Sequence, residues 1–413
     1  MAIQILNTVS NVMVAVLFVY FSWILLCDII SIFCKKIRWG EAEPSNIAVV
    51  ICARNEANVI GNLLDSLKKQ QYPQDKIKIF VVAHNCTDNT ADVAMIHGAE
   101  VFVRNEPKER FKGQALHYGV KQIMEKYPGQ FEILSVFDAD NVAGRDFMRE
   151  INAAIHSGAD LVQGFRNSKN YYASTVSQLF GAYWYQIMIC QNLPHSTMKL
   201  PVTIGGTGFA VRMDALDGNG WETFTMLEDI EFTCQMALKG KLCRLAPYAM
   251  FYDEQPEDWK TGFKQRYRWS LGGYQVLRIY LPKLIKAVPK YGVKAVKMIF
   301  DLLINPVLLI SLAGMIIQAV TTGLSGGFLA VLLYILRMIL MCWVTVFPVT
   351  MVLFIKQRMN PFKNLATVFL FPYFLLLSMV YAVPALFDRD PKWEPILHTN
   401  TSTIEELEGE DTV

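Results

Sequence analysis

The chain has 413 residues, 53% of them hydrophobic, with a formal net charge of +2. That is too apolar for an ordinary soluble protein and too charged for a bare membrane bundle, so one soluble domain joined to several membrane spans is expected. Net charge points to no partner, and eight scattered cysteines without a C-x-x-C pair indicate neither a zinc knuckle nor a disulfide framework.

Residues 9–33 form an apolar stretch with Asp28 near its end, and Lys35, Lys36 and Arg38 come next. No positive charge precedes the run, so a retained transmembrane helix is expected rather than a secretory signal. The positive-inside rule then puts the chain after Lys35 in the cytoplasm, where the thiols stay reduced. This first unit is residues 1–44.

Residues 45–255 alternate strand with helix. Strands are expected at 47–53, 76–83, 100–103 and 132–137. Helices are expected at 58–69, at 88–97 with Thr87 as cap, and at 114–126. This succession argues for an α/β fold with a mostly parallel, doubly wound sheet, whose ligands bind at the carboxyl ends of strands. Two loops lie there, Arg54-Asn55-Glu56 and Asp138-Ala139-Asp140-Asn141.

Residues 256–298 change character. From Lys260 to Lys297 there are ten Lys or Arg and no acid, interleaved with aromatic and aliphatic residues. That pattern suits amphipathic helices on an anionic membrane surface, and a membrane span directly after it argues against nucleic acid as partner. Apolar stretches at 299–322, 327–355 and 364–387 can each cross a bilayer, for which about 20 helical residues suffice. Arg337 sits inside the second, either facing a polar path or snorkelling. Residues 388–413 form a polar tail.

The chemistry is carried by four stretches. Asp138 and Asp140, one residue apart at a strand exit, make a hard anionic site suited to Mg²⁺ or Mn²⁺ bridging to a diphosphate, although acids there also form turns. Glu228-Asp229 opens a helix-like run to Leu238. Asp229 is the candidate base for an attacking hydroxyl, the alternative being a simple helix cap. In Gln265-Arg266-Tyr267-Arg268-Trp269, Arg268 can meet phosphate oxygens with its fork, and the Trp269 indole can carry a sugar ring or anchor at the membrane interface. Gly205-Gly206-Thr207-Gly208 allows close backbone approach to a ligand.

In this order and spacing, D-x-D, E-D and Q-x-x-R-W resemble the membrane-integrated, processive family 2 glycosyltransferases, the cellulose, hyaluronan and chitin synthases. The likeness covers roughly residues 45–300. It implies a GT-A fold, a UDP-sugar donor, a divalent metal, an inverting displacement and a growing glycan as acceptor. Carried over residue by residue, it puts Asn55, Glu56 and Lys112 at the nucleotide with Asp138, and Asp140 at the metal. Asp229 becomes the base beside Glu228, Gln265 and Arg268 fall at the diphosphate, and Trp269, Gly206, Thr207 and Gly208 at the acceptor. His84 stands where the family usually has a base-contacting aspartate, which loosens the uracil preference. Trp393 and His398 look similar to a segment that gates the site in related synthases. An N-terminal span plus three later ones, however, would leave the tail on the far side. Either one apolar stretch does not cross, with Pro372 and Pro384 making the last a re-entrant candidate, or Trp393 is no gate.

The expected activity is therefore a bacterial plasma-membrane synthase that polymerises a UDP-sugar, first of all UDP-glucose, into a β-linked glycan and passes it outward. A homo-oligomer or an accessory envelope subunit would widen the path. Two alternatives stay open: a membrane glycosyltransferase adding one sugar to a lipid-linked or oligosaccharide acceptor, and a transporter with an inactive nucleotide-sensing domain.

Overall fold

A computed structural model of the chain describes residues 2–108, 111–216, 218, 220–388 and 398–410. Trp393 lies outside them. After the apolar helix α1 (Ala2–Phe33) the chain forms β1 (Ile47–Ala53), α2 (Ile60–Lys68), β2 (Ile77–His84), α3 (Thr90–Ile96), β3 (Glu100–Arg104), α4 (Lys112–Lys126) and β4 (Ile133–Asp138). Then come β5 (Val142–Ala143), α5 (Phe147–His156), β6 (Leu161–Ser168), α6 (Thr175–Tyr185), α7 (Leu193–Thr197), β7 (Phe209–Arg212), α8 (Glu228–Leu238) and β8 (Cys243–Asp253). The remaining helices are α9 (Trp259–Tyr291), α10 (Val293–Leu302), α11 (Ile304–Lys356), α12 (Leu365–Phe387) and α13 (Ile404–Glu410).

The strands make one sheet in the order β3-β2-β1-β4-β7-β6-β8-β5. The first four pair in parallel, so their carboxyl ends line one edge, whereas β7 runs antiparallel to both β4 and β6. This is the expected α/β architecture of GT-A type. Side-chain alternation explains its two cores. Ile47, Val49 and Ile51 of β1 point to α2 and α5, burying Leu63, Leu64 and Ile151, while Ala48 and Val50 point to α4, burying Leu116, Val120 and Ile123. One local expectation fails. Asp88, not Thr87, serves the start of α3 by accepting from the Thr90 N–H (3.0 Å). Thr87 instead gives its own N–H to Asn55 Oδ1 (2.7 Å).

Among the described residues three helices are long and apolar enough to cross a membrane: α1, α11 and α12. Straight, the 53 residues of α11 would run about 80 Å, far beyond the roughly 30 Å of a bilayer core. It does not run straight. Gly327 has φ 71° and ψ −168°, and the chain folds back there, so that Tyr334 Oη reaches Gln318 Oε1 (2.9 Å). Gln318 in turn donates to Asn11 of α1 (2.8 Å). This small polar relay ties α1 to both halves of α11, as interhelical amides do in hydrocarbon. At the other end Lys356 donates to the Ile32 and Cys34 carbonyls (both 3.0 Å), closing the exit of α1.

α12 takes a different course. Near its start Thr367 donates to Gln178 of α6 (2.9 Å), and just past its end Asp388 accepts from Tyr267 of α9 (2.6 Å). In between, the Phe374 carbonyl accepts from Arg266 (2.9 Å). Both ends of α12 therefore sit beside the sheet domain, and the tail stays there. Ile404 and Leu407 of α13 pack with Val142 and Tyr252, and Glu405 pairs with Lys69 and Arg145 (3.0 and 3.1 Å). The sidedness conflict in the sequence reading disappears, because the last apolar stretch does not carry the tail away.

Candidate active site

The parallel strand ends, the start of α8 and the first turns of α9 enclose a cavity of about 240 Å³. Its walls include Asp138 and Asp140 after β4, Glu228 and Asp229 at the start of α8, and Gln265, Arg268 and Trp269 of α9. Glu56, His84, Lys112, Gly206 and His398 also face it. Glu56 and His398, 342 positions apart in sequence, thus share one cleft.

The D-x-D pair splits in use. Asp138 takes a short hydrogen bond from Lys112, whose ammonium also donates to the Gly206 carbonyl (2.6 Å) and lies 3.9 Å from Glu228. Burial opposes the charge of Lys112, yet Asp138 and Glu228 outweigh it and hold the amine above the ordinary lysine range. Asp140 lies deeper, 5% exposed, and burial raises its pKa. Thr207 fixes the loop from beneath: its hydroxyl accepts from the Asp138 N–H (2.8 Å) and donates to Asn141 in a short bond. Thr207 is thus a loop brace and does not line the cavity. Nor does Gly208, whose φ of 60° and contact with the Phe251 ring leave no room for a Cβ. Asn55 also stays out of the cavity, its side chain bridging to Thr87.

At the start of α8 Asp229 serves the helix as well as the cavity, its Oδ1 accepting from the Ile230 N–H (2.7 Å) while it also lines the pocket. Glu231 accepts from the N–H groups of Phe224 and Thr225 (2.9 and 2.8 Å) and so ties down the preceding loop. Glu228 and Asp229 are left facing the cavity. Burial pushes Glu228 up to about 8 and raises Asp229 as well. Arg268, half-buried, lines the same cavity, and desolvation lowers its pKa against the pull of Glu228, Asp138 and Asp229. Trp269 is no interface anchor. It stacks on Tyr183 (5.9 Å between centroids) and meets Trp184 edge-on (5.6 Å) inside the protein.

Sequence reasoning missed Arg166, at the end of β6. Its guanidinium lies 3.8 Å above the Trp184 ring and donates to the Gly205 carbonyl (2.8 Å), steadying the glycine loop. Asp253, ending β8, was missed too. It lies 3.6 Å from Arg166 and accepts from Asn141 (2.9 Å), and burial lifts it to about 6. The available signal was a polar residue closing an apolar strand, as at Asp138.

The tail closes one side. His398 Nδ1 sits 3.1 Å from Glu56 Oε1, and Nε2 lies 3.8 Å from Asp140 Oδ2. Burial disfavours its charge, but Asp140 and Glu56 outweigh that and lift it to about 10. Glu254 accepts from the backbone N–H groups of Thr399 and Asn400, and Lys169 bridges the Asp140 and Asn400 carbonyls (both 2.9 Å).

A second cavity, about 360 Å³, lies behind the Trp269 wall, between α1, α10, α11 and α12. Gly205, Asp229 and Trp269 line both cavities. Its lining is mainly apolar and aromatic, with Lys297 and Asp301 paired (2.6 Å) and both bound to Thr203. Arg266 also lines it, 4% exposed, with Nε and Nη2 bonded to nothing among the described residues. Arg337 lines neither cavity, and its side chain is exposed.

Comparison with known proteins finds glycosyltransferases. A Bacillus subtilis protein described as probable glycosyltransferase YdaM is 26% identical over 406 aligned residues, covering 86% of this chain and 88% of that one. Staphylococcus aureus poly-β-1,6-N-acetyl-D-glucosamine synthase is 25% identical over 249 residues, 59% of this chain and 58% of that relative. The solved structure of the mannosyltransferase PcManGT from Pyrobaculum calidifontis, in complex with GDP-Man and Mn²⁺, superposes with a TM-score of 0.62 at 17% identity. It covers 93% of this chain and all of that one, a likeness of fold. The profile of the glycosyltransferase-like family 2 matches residues 44–272, more than half of the chain, and the protein belongs to that family.

Proposed function

We propose that this glycosyltransferase is a metal-assisted, inverting and processive membrane enzyme that extends a β-linked glycan from a UDP-sugar, with UDP-glucose the first donor to test. The observation that carries the reading is the common wall of the two cavities. A charged pocket suited to a nucleotide diphosphate meets an apolar, aromatic one between membrane helices, and Asp229 and Trp269 stand at the junction.

The roles rest on the geometry. Glu56, His84, Lys112 and Asp138 hold the nucleotide, and Gln265 and Arg268 hold the diphosphate. Asp140 fits a divalent cation: it is a buried carboxylate whose Oδ2 receives no hydrogen bond among the described residues. When bound, Mg²⁺ or Mn²⁺ would neutralise charge growing on the diphosphate. The acceptor hydroxyl lies against Trp269 and the Gly205–Gly206 backbone. As its oxygen bonds to the sugar C1, its proton passes to Asp229 and the C1–O bond to UDP breaks, with the electron pair leaving on the phosphate. Attack opposite the leaving group converts an α-linked donor into a β-linked product. Burial favours this chemistry twice, since a raised pKa makes Asp229 a better proton acceptor and low polarity strengthens the contacts of Arg268. In this reading the catalytic domain faces the cytoplasm.

The apolar lining of the second cavity favours one alternative, a single transfer to a lipid-linked acceptor. Purified protein in lipid nanodiscs, given UDP-glucose or UDP-N-acetylglucosamine with Mg²⁺ or Mn²⁺, should yield β-linked chains of many residues. A one-residue increment on a lipid extract would replace polymerisation by the alternative, and no transfer from any UDP-sugar would overturn both.

A further inference from the structure

The glycine loop beside Asp229 is tethered from the α10 side by a buried ionic clip. Residues 203–206 run between the two cavities, with Thr203, Ile204 and Gly205 on the second and Gly205 and Gly206 on the first. Two adjacent glycines give this stretch little stiffness of its own, so its partners decide where it stands. From the sheet side, Gln163 accepts from the Gly205 N–H (2.8 Å), Arg166 donates to the Gly205 carbonyl and Lys112 to the Gly206 carbonyl. From the other side, the Thr203 hydroxyl donates to Asp301 Oδ2 (2.7 Å) and accepts from Lys297 Nζ (3.0 Å), and those two groups are paired with each other. The three contacts close a triangle that fixes the hydroxyl both as donor and as acceptor.

α10, which carries Lys297 and Asp301, is itself seated on the helix that carries Asp229. Its Met298 and Leu302 pack with Cys234 and Ala237 of α8. A shorter link runs beside it: Thr233 of α8 accepts from the Ile204 N–H (3.3 Å) and donates to the Asp229 carbonyl (2.9 Å). The loop therefore takes its place from α8, and the gap between them is narrow, since a Cβ at Gly206 would lie 3.4 Å from Asp229 Oδ2. Stability does not call for the charges. Lys297 is 4% exposed in a mainly apolar wall, where a buried ion pair often contributes no more than packed hydrophobic side chains of the same volume. We propose that Lys297 and Asp301 are positioning residues, which hold the acceptor side of the site at its working distance from Asp229 through Thr203. The inference rests on the reading that Asp229 takes the acceptor proton, and it assigns the buried ion pair of the second cavity a part in that step. A displacement of about 1 Å at such a place can cost roughly a hundredfold in rate.

The test compares Thr203→Val, which keeps the shape and removes the hydroxyl, with Thr203→Ser, which keeps the hydroxyl. The full chain in nanodiscs is given UDP-glucose or UDP-N-acetylglucosamine, Mn²⁺, and cellobiose or chitobiose as added acceptor. Transfer, release of free sugar to water and UDP binding are measured together. Thr203→Val should lower kcat/KM for the acceptor by about tenfold to a hundredfold and leave UDP affinity within about twofold. The share of donor lost to water should rise, because water does not need the loop. Thr203→Ser should transfer like the wild type. Lys297→Met combined with Asp301→Leu should match Thr203→Val, and all three together should lose no more, because they break one device. Normal transfer by Thr203→Val, losses that add across the two sets, or UDP binding that falls in step with transfer would overturn the clip and leave the reaction standing. Near-normal transfer by Asp229→Asn would instead remove the base, and with it the reading beneath the clip. The two Thr203 variants decide the matter even if the ion-pair variant fails to fold.

Discussion

At the strand ends, buried carboxylates are held above their ordinary range around a cavity in which Lys112 pairs with Asp138 and Arg268 lines the facing wall. Behind the Trp269 wall the ionic groups are fewer, and Lys297, Asp301 and Thr203 already satisfy one another, so that surface dominates over charge. The first cavity gains most from a ligand that brings cations and phosphate oxygens. The second gains most from one that brings ring faces or methylenes. Since the two touch at Asp229, the proposed reaction would take place where a polar donor and a less polar acceptor can each keep the surroundings that suit them.

Substitutions can break that division, starting at the junction. Asp229→Asn should lower kcat by about 10²–10⁴, the usual worth of a positioned base, and leave UDP binding intact. Isothermal titration with UDP beside a transfer assay separates the two, and near-normal turnover would remove Asp229 from the reaction. In the wild type, kcat/KM should climb with pH and bend above the ordinary aspartate value of about 3.9, because the base works deprotonated and burial raises its pKa. A profile that bends at or below about 3.9 would mean that a different group takes the proton.

Trp269→Leu should raise the acceptor KM by roughly fivefold, in line with an aromatic contact worth about 1 kcal/mol, with a much smaller effect on donor KM. Equal loss on both sides would make the indole part of the donor pocket. Arg266→Met probes the second cavity and the α12 contact that borders it. Stability should fall modestly, because the Nη1 bonds to the Phe374 carbonyl and Ser378 are lost while two unpaired buried donors are removed. Acceptor KM should rise several-fold at unchanged UDP affinity. Smallest of all, Gly206→Ala should cost about 1 kcal/mol in thermal unfolding through its φ of 80°, since the new Cβ would lie only 3.4 Å from Asp229 Oδ2, an adjustable contact.

Much of the catalytic domain was legible along the chain because its signals are local. An apolar run ending in Asp138 announces a strand exit, and Glu228-Asp229 before an amphipathic run announces a helix start. Arg166 and Asp253 were hidden for the opposite reason. Their meaning depends on β8 pairing with β6, a neighbour relation that the alternating pattern does not carry. The course of α12 was equally hidden. Hydropathy gives the length of an apolar helix but not its direction, which here is set by single hydrogen bonds to Gln178 and from Arg266 and Tyr267. Thr87 misled because its best partner, Asn55, sits on another strand exit rather than in its own helix.

The bend at Gly327 leaves the described residues almost nothing on the face opposite the catalytic domain. Two apolar rods meet there in a glycine elbow beside the first residues of α1, with no long loop for another molecule to grip. A partner that approached that end would find only the elbow and the flanks of the helices to hold.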